Sequence, residues 1–367
     1  MVKKTKLYEQ HCKLGARMVN FANWEMPLHY GSQVEEHHYV RKEAGVFDVS
    51  HMTSVDIEGD DARAFLRRIL ANDVQKLQPG KALYSCLLNP HAGILDDLIA
   101  YHLGENRYRL VVNAGTTEKD IAWISQQSKQ FAAKIYPRHD LAMLAIQGPR
   151  AWESMKKVFD RKQNKAVEAL KSFHSAEINN WLIARTGYTG EDGLEVILPQ
   201  EEVAGFWEKI LASGIKPAGL GARDSLRLEA GFNLYGVDMD ETVTPLESNL
   251  AWTIDWQDTE RDFIGKESLQ KQIQQGVKQQ LVGLVLLGKG VSRAGMIVYM
   301  QNQSSEEVYR GKLTSGGYSP TLSCSIALAQ VPSGEFENIE IDIRGKRIPA
   351  KIVRPPFVRN GKLNFSF

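Results

Sequence analysis

The chain has 367 residues, 43% of them hydrophobic and 24% charged. That ordinary globular composition excludes a disordered chain and, at about 100–200 residues per domain, predicts two or three domains. Forty-five basic residues against 44 acidic ones leave a formal charge of +1, which gives no electrostatic case for nucleic acid or an anionic membrane as a partner.

The N-terminal stretch MVKKTKLYEQ is basic with no apolar run behind it, so no signal peptide is expected. PLHYGSQVEEHHYVRKEAG reads as a loop feeding a helix, with Gly45 as its terminating C′ glycine. The EEHH run in it has metal-ligand residue types, but adjacent histidines on a helix point about 100° apart. A solvated polar helix face is the reading. VFDVSHMTSVDIEG then alternates as a strand does, and Asp60 is the expected N-cap of a helix with Phe65, Leu66, Ile69 and Leu70 along one stripe. Residues 84–113 read as strands joined by turns at Asn89-Pro90-His91 and Gly104-Glu105-Asn106. A helix over TTEKDIAWISQQSKQ closes that region. LAMLAIQGP is a strand and a stop. EEVAGFWEKIL is an amphipathic helix with Val203, Phe206, Trp207, Ile210 and Leu211 on one face, and GARDSLRLEAGF a shorter helix ending near Gly231. From about residue 278 the chain is nearly all short strands and turns, the pattern of a small barrel or sandwich. Its longest aliphatic run, Leu281 to Leu287, is far short of the roughly 20 apolar residues a membrane span needs. Cys12, Cys86 and Cys324 are scattered, with no CxxC pair or zinc knuckle, which suits a reducing compartment.

No GxxxxGK[ST], HExxH or GxSxG motif is present, and GLGARDS lacks the third glycine of a dinucleotide loop. No nucleotide and no metal are therefore expected. Four constellations remain. Asp96 and Asp97 are adjacent in a strand flanked by Ile94, Leu95, Leu98 and Ile99, so one aspartate faces each way. That is either a turn-entry pair bonded to backbone amides or a functional carboxylate. Glu195 lies in LEVIL, on the face opposite Leu194, Val196 and Leu198. A carboxylate there needs a donor pair, from an arginine or from a ligand edge with two parallel N–H groups. Arg223 and Arg227 are neighbours at i and i+4. Either Asp224 and Glu229 neutralise them at the surface, or they clamp an anionic ligand. Tyr84, Tyr188 and Tyr235 sit beside turns, as packing residues or as platforms for a flat heterocycle. Together the four suggest a flat, donor-rich ligand with an acidic tail. A reduced folate fits that description, and a sugar or an amino acid fits it less completely.

The stretches LYEQHCKLGARMVNFANWEMPLHY, RKEAGVFDVSHM, LNPHAGILDDLIAY, RYRLVVNA, LAIQGP, RTGYTGEDGLEV, GLGARDSLRLEAGFNLYG, TPLESNLAWTI, FIGKESL and TSGGYSPTLSCSIALAQV follow one another along nearly the whole chain. In that order they resemble the T-protein family, the folate-binding aminomethyltransferases of glycine cleavage. The resemblance implies an α+β fold of three domains arranged as a clover leaf. A discontinuous ferredoxin-like domain takes residues 1–54 and 138–236. A second antiparallel α+β domain takes 55–137 and 237–275, and a C-terminal β-barrel takes 276–367. It also implies a reaction. The methylene of an aminomethyl group, carried on a dihydrolipoyl sulfur of the H-protein, passes to tetrahydrofolate as co-substrate with release of ammonia. The product is 5,10-methylenetetrahydrofolate. Partners are the lipoylated H-protein and the other glycine cleavage components, in the cytoplasm, or in the mitochondrial matrix if the chain is a matured one.

By the same resemblance Asp96 is the catalytic carboxylate near N5 and N10 of the folate, favouring the cationic centre left when ammonia departs. Glu195 holds the pterin fork, with Tyr188 packed nearby. Arg223 and Arg227 serve the site from their helix. Met52, Tyr84, Asn113 and Tyr235 line the pocket, and Arg359 is a candidate for the glutamate tail. Departures from the family pattern fall mainly at glycines: Asn23 and Ala92 each stand for a glycine, Ser248-Asn249 for an Ala-Gly pair, and Thr53-Ser54 follow His51-Met52 where glycine is common; positive φ is expected to be best tolerated by Asn23. Related folds do other work. A folate-binding iron–sulfur assembly relative carries a KGCYxGQE-type motif, which FIGKESL lacks. A sarcosine or dimethylglycine dehydrogenase needs a fused flavin domain. A non-catalytic folate sensor or scaffold predicts binding without turnover.

Overall fold

The computed structural model describes residues 2–301 and 308–366. The chain divides into two compact units. One comprises Met1–Leu87, Asp96–Arg223 and Asp255–Phe263, and the other Leu88–Leu95, Asp224–Ile254 and Ile264–Phe367.

The first unit is built on antiparallel sheets. In one, the strands run in the order Ser175–Ile178, Trp181–Ala184, Gly193–Pro199, Leu141–Gln147, Gly45–Asp48 and Lys216–Pro217. The last pairs parallel with its neighbour. The period-2 alternation of Gly193–Pro199 explains its burial. Leu194, Val196 and Leu198 join Val203, Phe206, Trp207 and Ile210 of the helix Val203–Ala212 in one core cluster. Each such fully buried side chain stabilises the unit by about 1.5–3 kcal/mol. A second sheet orders Ala82–Leu88, Ile94–Gly104, Arg107–Val112, Thr53–Glu58 and Lys134–Arg138. The helix Thr117–Gln127 follows the strand Arg107–Val112.

The local expectations fail in three places. The helix Gln33–Lys42 ends at Glu43, whose N–H bonds to Tyr39 O. Gly45 therefore opens a strand and caps nothing; a Cβ there would press against Val40 Cγ2 at 2.7 Å. The helix Ala62–Ile69 begins after Asp61, not at Asp60, and Asp61 makes no side-chain cap. Its carboxylate instead accepts from Ala132 N at 2.8 Å. The EEHH run is not a solvated face, because Glu36 and His37 are buried. Glu36 accepts from Tyr30 N at 2.6 Å and Gly219 N at 2.8 Å. No group of three His, Cys, Asp or Glu side chains among the described residues is arranged to hold a metal.

The second unit contains a closed barrel, in the order Gln279–Leu286, Cys324–Pro332, Val308–Ser319, Ile297–Gln301, Glu337–Ile343 and Lys346–Val353. Closure comes from Gln279–Leu286 pairing on both edges, with Cys324–Pro332 and with Lys346–Val353, which removes the exposed sheet edge. Leu284, Leu286, Val298, Leu313, Ala329 and Ile341 fill its interior. Asn23, Ala92 and Asn249 all have positive φ, at 64°, 66° and 61°, the backbone that favours glycine. Cys12, Cys86 and Cys324 form no disulfide among the described residues. No helix among the described residues is long and apolar enough to cross a membrane.

Candidate functional site

The first unit brings together two clusters of polar side chains. One is centred on Asp96, at the start of the long strand Ile94–Gly104. Asp96 is fully buried. Its Oδ2 accepts from the backbone N–H of Asn113 at 3.1 Å and from Thr116 Oγ1 at 2.9 Å. Its Oδ1 accepts from Asn113 Nδ2 at 2.9 Å. Asn113 can reach because the strand Arg107–Val112 ends beside Ile94–Gly104 and the chain turns there into the helix Thr117–Gln127. Three donors converging on one buried side chain are an arrangement for a carboxylate.

Asp97 shares the Asn113 amide, which donates to its Oδ1 at 2.9 Å, and it takes the Tyr84 hydroxyl on Oδ2 at 2.8 Å. Burial first, then the charge of Asp96, pushes Asp97 up to about 7. Burial also holds Tyr84 well above the usual tyrosine range, so its phenol stays a donor. A third carboxyl, Asp120, joins from the helix. It is 1% exposed, and burial followed by the charge of Asp96 raises it to about 9.

The second cluster is centred on Glu195, which is buried. Thr186 Oγ1 donates to its Oε2 at 2.6 Å, and the Tyr101 hydroxyl meets Thr186 at 3.2 Å. Tyr101 belongs to the same strand as Asp96, so one strand carries a polar anchor of each cluster. Burial raises Glu195 above the usual glutamate range, with Thr186 and the charge of Arg223 opposing. Arg223 lies with its guanidinium 4.7 Å from the centre of the Tyr188 ring, and its Nη1 is buried with no hydrogen-bond partner. Burial lowers it from the usual arginine range, against Tyr188 and Glu195. His51, at the end of VFDVSH, is buried with Nδ1 unpartnered and stacks edge-on against Phe21. Burial, then the charge of Arg223, lowers it to about 4, so it is a neutral imidazole at pH 7. Met52, next in the chain, is half-buried.

The turn chemistry of RTGYTGEDGLEV is explained by Gln147. Its Nε2 donates to Thr186 O at 3.1 Å and its Oε1 accepts from Thr189 Oγ1 at 2.9 Å. A Cβ at Gly187 would collide with that amide, and Gly190 has φ +77°, a conformation glycine adopts without penalty. Arg41 adds a bond to Thr189 O at 2.7 Å and an ion pair to Glu191 at 2.8 Å. The loop is thereby fixed to the sheet, and with it Thr186, Tyr188 and Glu195.

Of the residues singled out from the sequence, Asp96, Asn113 and Tyr84 meet in the first cluster, and Glu195, Arg223 and Tyr188 in the second. Arg227, Tyr235 and Arg359 belong to the second unit. There Arg227 is buried and fully engaged. It pairs with Asp224 at 2.8 Å and Asp238 at 2.7 Å and donates to Ser315 Oγ at 2.8 Å and Phe232 O at 3.1 Å. The Glu229 carboxylate accepts from Ser319 and Thr321. Tyr235 donates to Ile94 O at 3.0 Å, and Arg359 is exposed. Thr116, Asp120, His51, Thr186 and Tyr101 are site neighbours that the sequence did not single out. Only Asp120 left a trace, as an acidic residue in the first turn of a helix, which the helix dipole alone would explain.

Two unpaired buried donor or acceptor atoms, on Arg223 and His51, face no protein partner among the described residues, and Glu195 Oε1 receives no hydrogen bond there. Buried polar atoms are normally satisfied, so this cluster has the composition of a site completed by a polar ligand. In the other cluster the donors converge on Asp96, which holds its carboxylate in one orientation.

The family model described as the GCVT N-terminal domain matches residues 7–258, and that of the glycine cleavage T-protein C-terminal barrel domain matches residues 279–359. Among solved structures, glycine cleavage system aminomethyltransferase T from Bartonella henselae is 35% identical, with a TM-score of 0.91, covering 99% of this chain and 100% of that one. A heterotetrameric sarcosine oxidase from Corynebacterium sp. U-96 is 10% identical, with a TM-score of 0.38, covering 58% of this chain and 95% of that one. A likeness that low supports no conclusion about fold or function.

Proposed function

Because this chain belongs to the glycine cleavage T-protein family, we propose that it transfers the methylene of an aminomethyl-dihydrolipoyl carrier to tetrahydrofolate. It is a folate-dependent aminomethyltransferase. The carrier in this reading is the lipoylated H-protein, working with the other glycine cleavage components in the cytoplasm. The observation that carries the reading is the match along both family domains and 99% of the chain.

In the transfer, the C–N bond to ammonia and the C–S bond to the carrier break, and bonds from the carbon to N5 and N10 of the folate form. The two folate N–H protons end on ammonia and the carrier thiol. Departure of ammonia leaves a carbon with cationic character. Asp96, whose three donors hold it in one orientation, favours that charge and accepts or orients an N–H of the attacking amine. A well-placed acid or base contributes about 10²–10⁴ to such a rate. Glu195, with Oε1 unengaged, suits the paired N–H groups of a pterin, and the unpaired Arg223 Nη1 suits an acceptor on the same ligand. Tyr188 and Met52 offer the flat and apolar surfaces. Arg227, Tyr235 and Arg359 were also candidates. The saturated Arg227 is better suited to holding its own unit together.

A three-domain division at 1–54 with 138–236, 55–137 with 237–275, and 276–367 is part of the same reading. It is supported by the six-stranded sheet drawing only on the first pair of segments and the barrel only on the last.

The test is ammonia release from a purified aminomethylated lipoyl carrier, with and without tetrahydrofolate. Folate-dependent release with methylenetetrahydrofolate formed is the expected result. Folate binding without acceleration would replace the transferase with a folate sensor or scaffold.

A further inference from the structure

The Asp96 cluster contains a carboxyl that the transfer just described does not use. Asp120 lies one turn along the helix Thr117–Gln127 from Thr116, with its N–H on Thr116 O at 2.8 Å. Its side chain is 1% exposed, and neither Oδ1 nor Oδ2 receives a hydrogen bond. The donors nearby are committed elsewhere. The Thr116 hydroxyl is on Asp96 Oδ2 at 2.9 Å, and the Thr117 hydroxyl is on Asn113 O at 2.9 Å. Lys119 is adjacent in the chain but exposed. The group that meets the Asp120 carboxyl is the carboxyl of Asp96, within hydrogen-bonding reach.

Two buried carboxylates cannot both ionise against each other. Asp96 accepts three hydrogen bonds, and the one hydroxyl beside Asp120, that of Thr116, is already given to Asp96 at 2.9 Å, so the proton belongs on Asp120. A neutral carboxyl is a donor as well as an acceptor. Placed here it supplies a fourth hydrogen bond to the anion and satisfies its own buried oxygens at the same time.

Resting on the transferase reading, we propose that Asp120 is a positioning residue for Asp96: it keeps its proton and donates it to the Asp96 carboxylate, fixing that group's orientation and charge. The charged groups that act on it are Asp96 on the strand Ile94–Gly104 and Lys119 on its own helix. Burial first and then Asp96 raise Asp120, the Thr116 hydroxyl and Lys119 lower it, and the balance leaves it at about 9. Above that pH, loss of the proton places a second negative charge against Asp96 and removes the donor.

The experiment uses the full chain with Asp120→Asn and Asp120→Leu. The asparagine amide still donates and does not titrate; leucine fills the space and donates nothing. Asp120→Asn is expected to keep kcat within about threefold of the parent and to lose the alkaline decline of the pH profile. Asp120→Leu should lower kcat by about thirtyfold, the loss expected for a hydrogen bond to a charged group, with KM for tetrahydrofolate little changed. Infrared spectra at neutral pH should show a protonated-carboxyl band in the parent that Asp120→Asn lacks. Equal activities for the two variants, an alkaline limb unchanged in Asp120→Asn, or a parent without that band would each overturn the proposal. The infrared result does not depend on turnover. If even the parent fails to release ammonia, the transferase reading falls while the band still decides where the proton resides.

Discussion

Replacing Asp96 by asparagine separates catalysis from binding. The substitution keeps shape but exchanges one acceptor oxygen for an N–H₂ group. Asp96 Oδ2 takes two hydrogen bonds, from Asn113 N and Thr116 Oγ1, and Oδ1 takes one, from Asn113 Nδ2. The new carbonyl oxygen will keep the position with two donors, and the new amide will then face the Asn113 amide, donor against donor. Leaving one buried donor unsatisfied costs about 1–3 kcal/mol. Against that, removing the Asp96 charge relieves its repulsion with Asp97. The net change in unfolding free energy is expected to stay within about 2 kcal/mol. Folate affinity, which this reading assigns mainly to the Glu195 cluster, should fall by no more than about tenfold, or 1.4 kcal/mol. The transfer step loses its fixed negative charge and should slow by about 10²–10⁴, equivalent to roughly 3–5 kcal/mol on the barrier. Single-turnover ammonia release from the aminomethylated carrier gives the rate, and equilibrium titration gives the folate Kd. Equal losses in both would refute the catalytic role and make Asp96 a binding residue; no loss in the rate would remove it from the mechanism.

Glu195→Gln should weaken tetrahydrofolate binding by about 1.5–3 kcal/mol while leaving the transfer rate at saturation nearly intact; an unchanged Kd in titration would reject the pterin-fork role. His51 makes stability pH-dependent. Its folded value of about 4 lies below the ordinary imidazole value of 6.5, so as pH falls the unfolded chain binds the proton first. The stability is fully present above about 6.5 and is lost towards 4, by up to roughly 3 kcal/mol. Urea unfolding across that window should show the slope in the parent, and His51→Gln should flatten it. Ala92 holds φ at 66°, which costs a residue with a Cβ about 1–2 kcal/mol, part of it returned through the freer unfolded chain when glycine is substituted. Ala92→Gly is therefore expected to raise stability by up to about 1 kcal/mol in urea unfolding, and a clear loss would mean that the buried methyl group matters more than the strain.

What the sequence made legible was whatever depends on near neighbours. Leu194, Val196 and Leu198 read as one face of a strand because a strand alternates with period 2, and Glu195 stood out as the misfit on the other face. The positive φ at Asn23, Ala92 and Asn249 could be anticipated from the resemblance, which implies glycine at each. Gly45 and Asp60 were misread for the same kind of reason. Both sit where a helix end is plausible, and the deciding contacts, Val40 against Gly45 and Ala132 with Asp61, lie outside the local pattern. Glu36 looked solvated because its donors, Tyr30 N and Gly219 N, are a loop and a distant helix away. The two arginines of one helix show the limit most sharply. Arg223 and Arg227 occupy equivalent positions one turn apart, and no local rule distinguishes them. Asp238 and Ser315 saturate Arg227, while Arg223 keeps a buried donor unpaired above Tyr188. Asp120 follows the same logic from the other side. An acid in a helix's first turn satisfies the dipole and draws no notice, until the strand bearing Asp96 packs against it and converts a solvent-facing charge into a proton that has to be kept. Functional chemistry in this fold therefore sits where a residue with an adequate local explanation acquires a long-range neighbour that changes its charge state or its hydrogen-bond count.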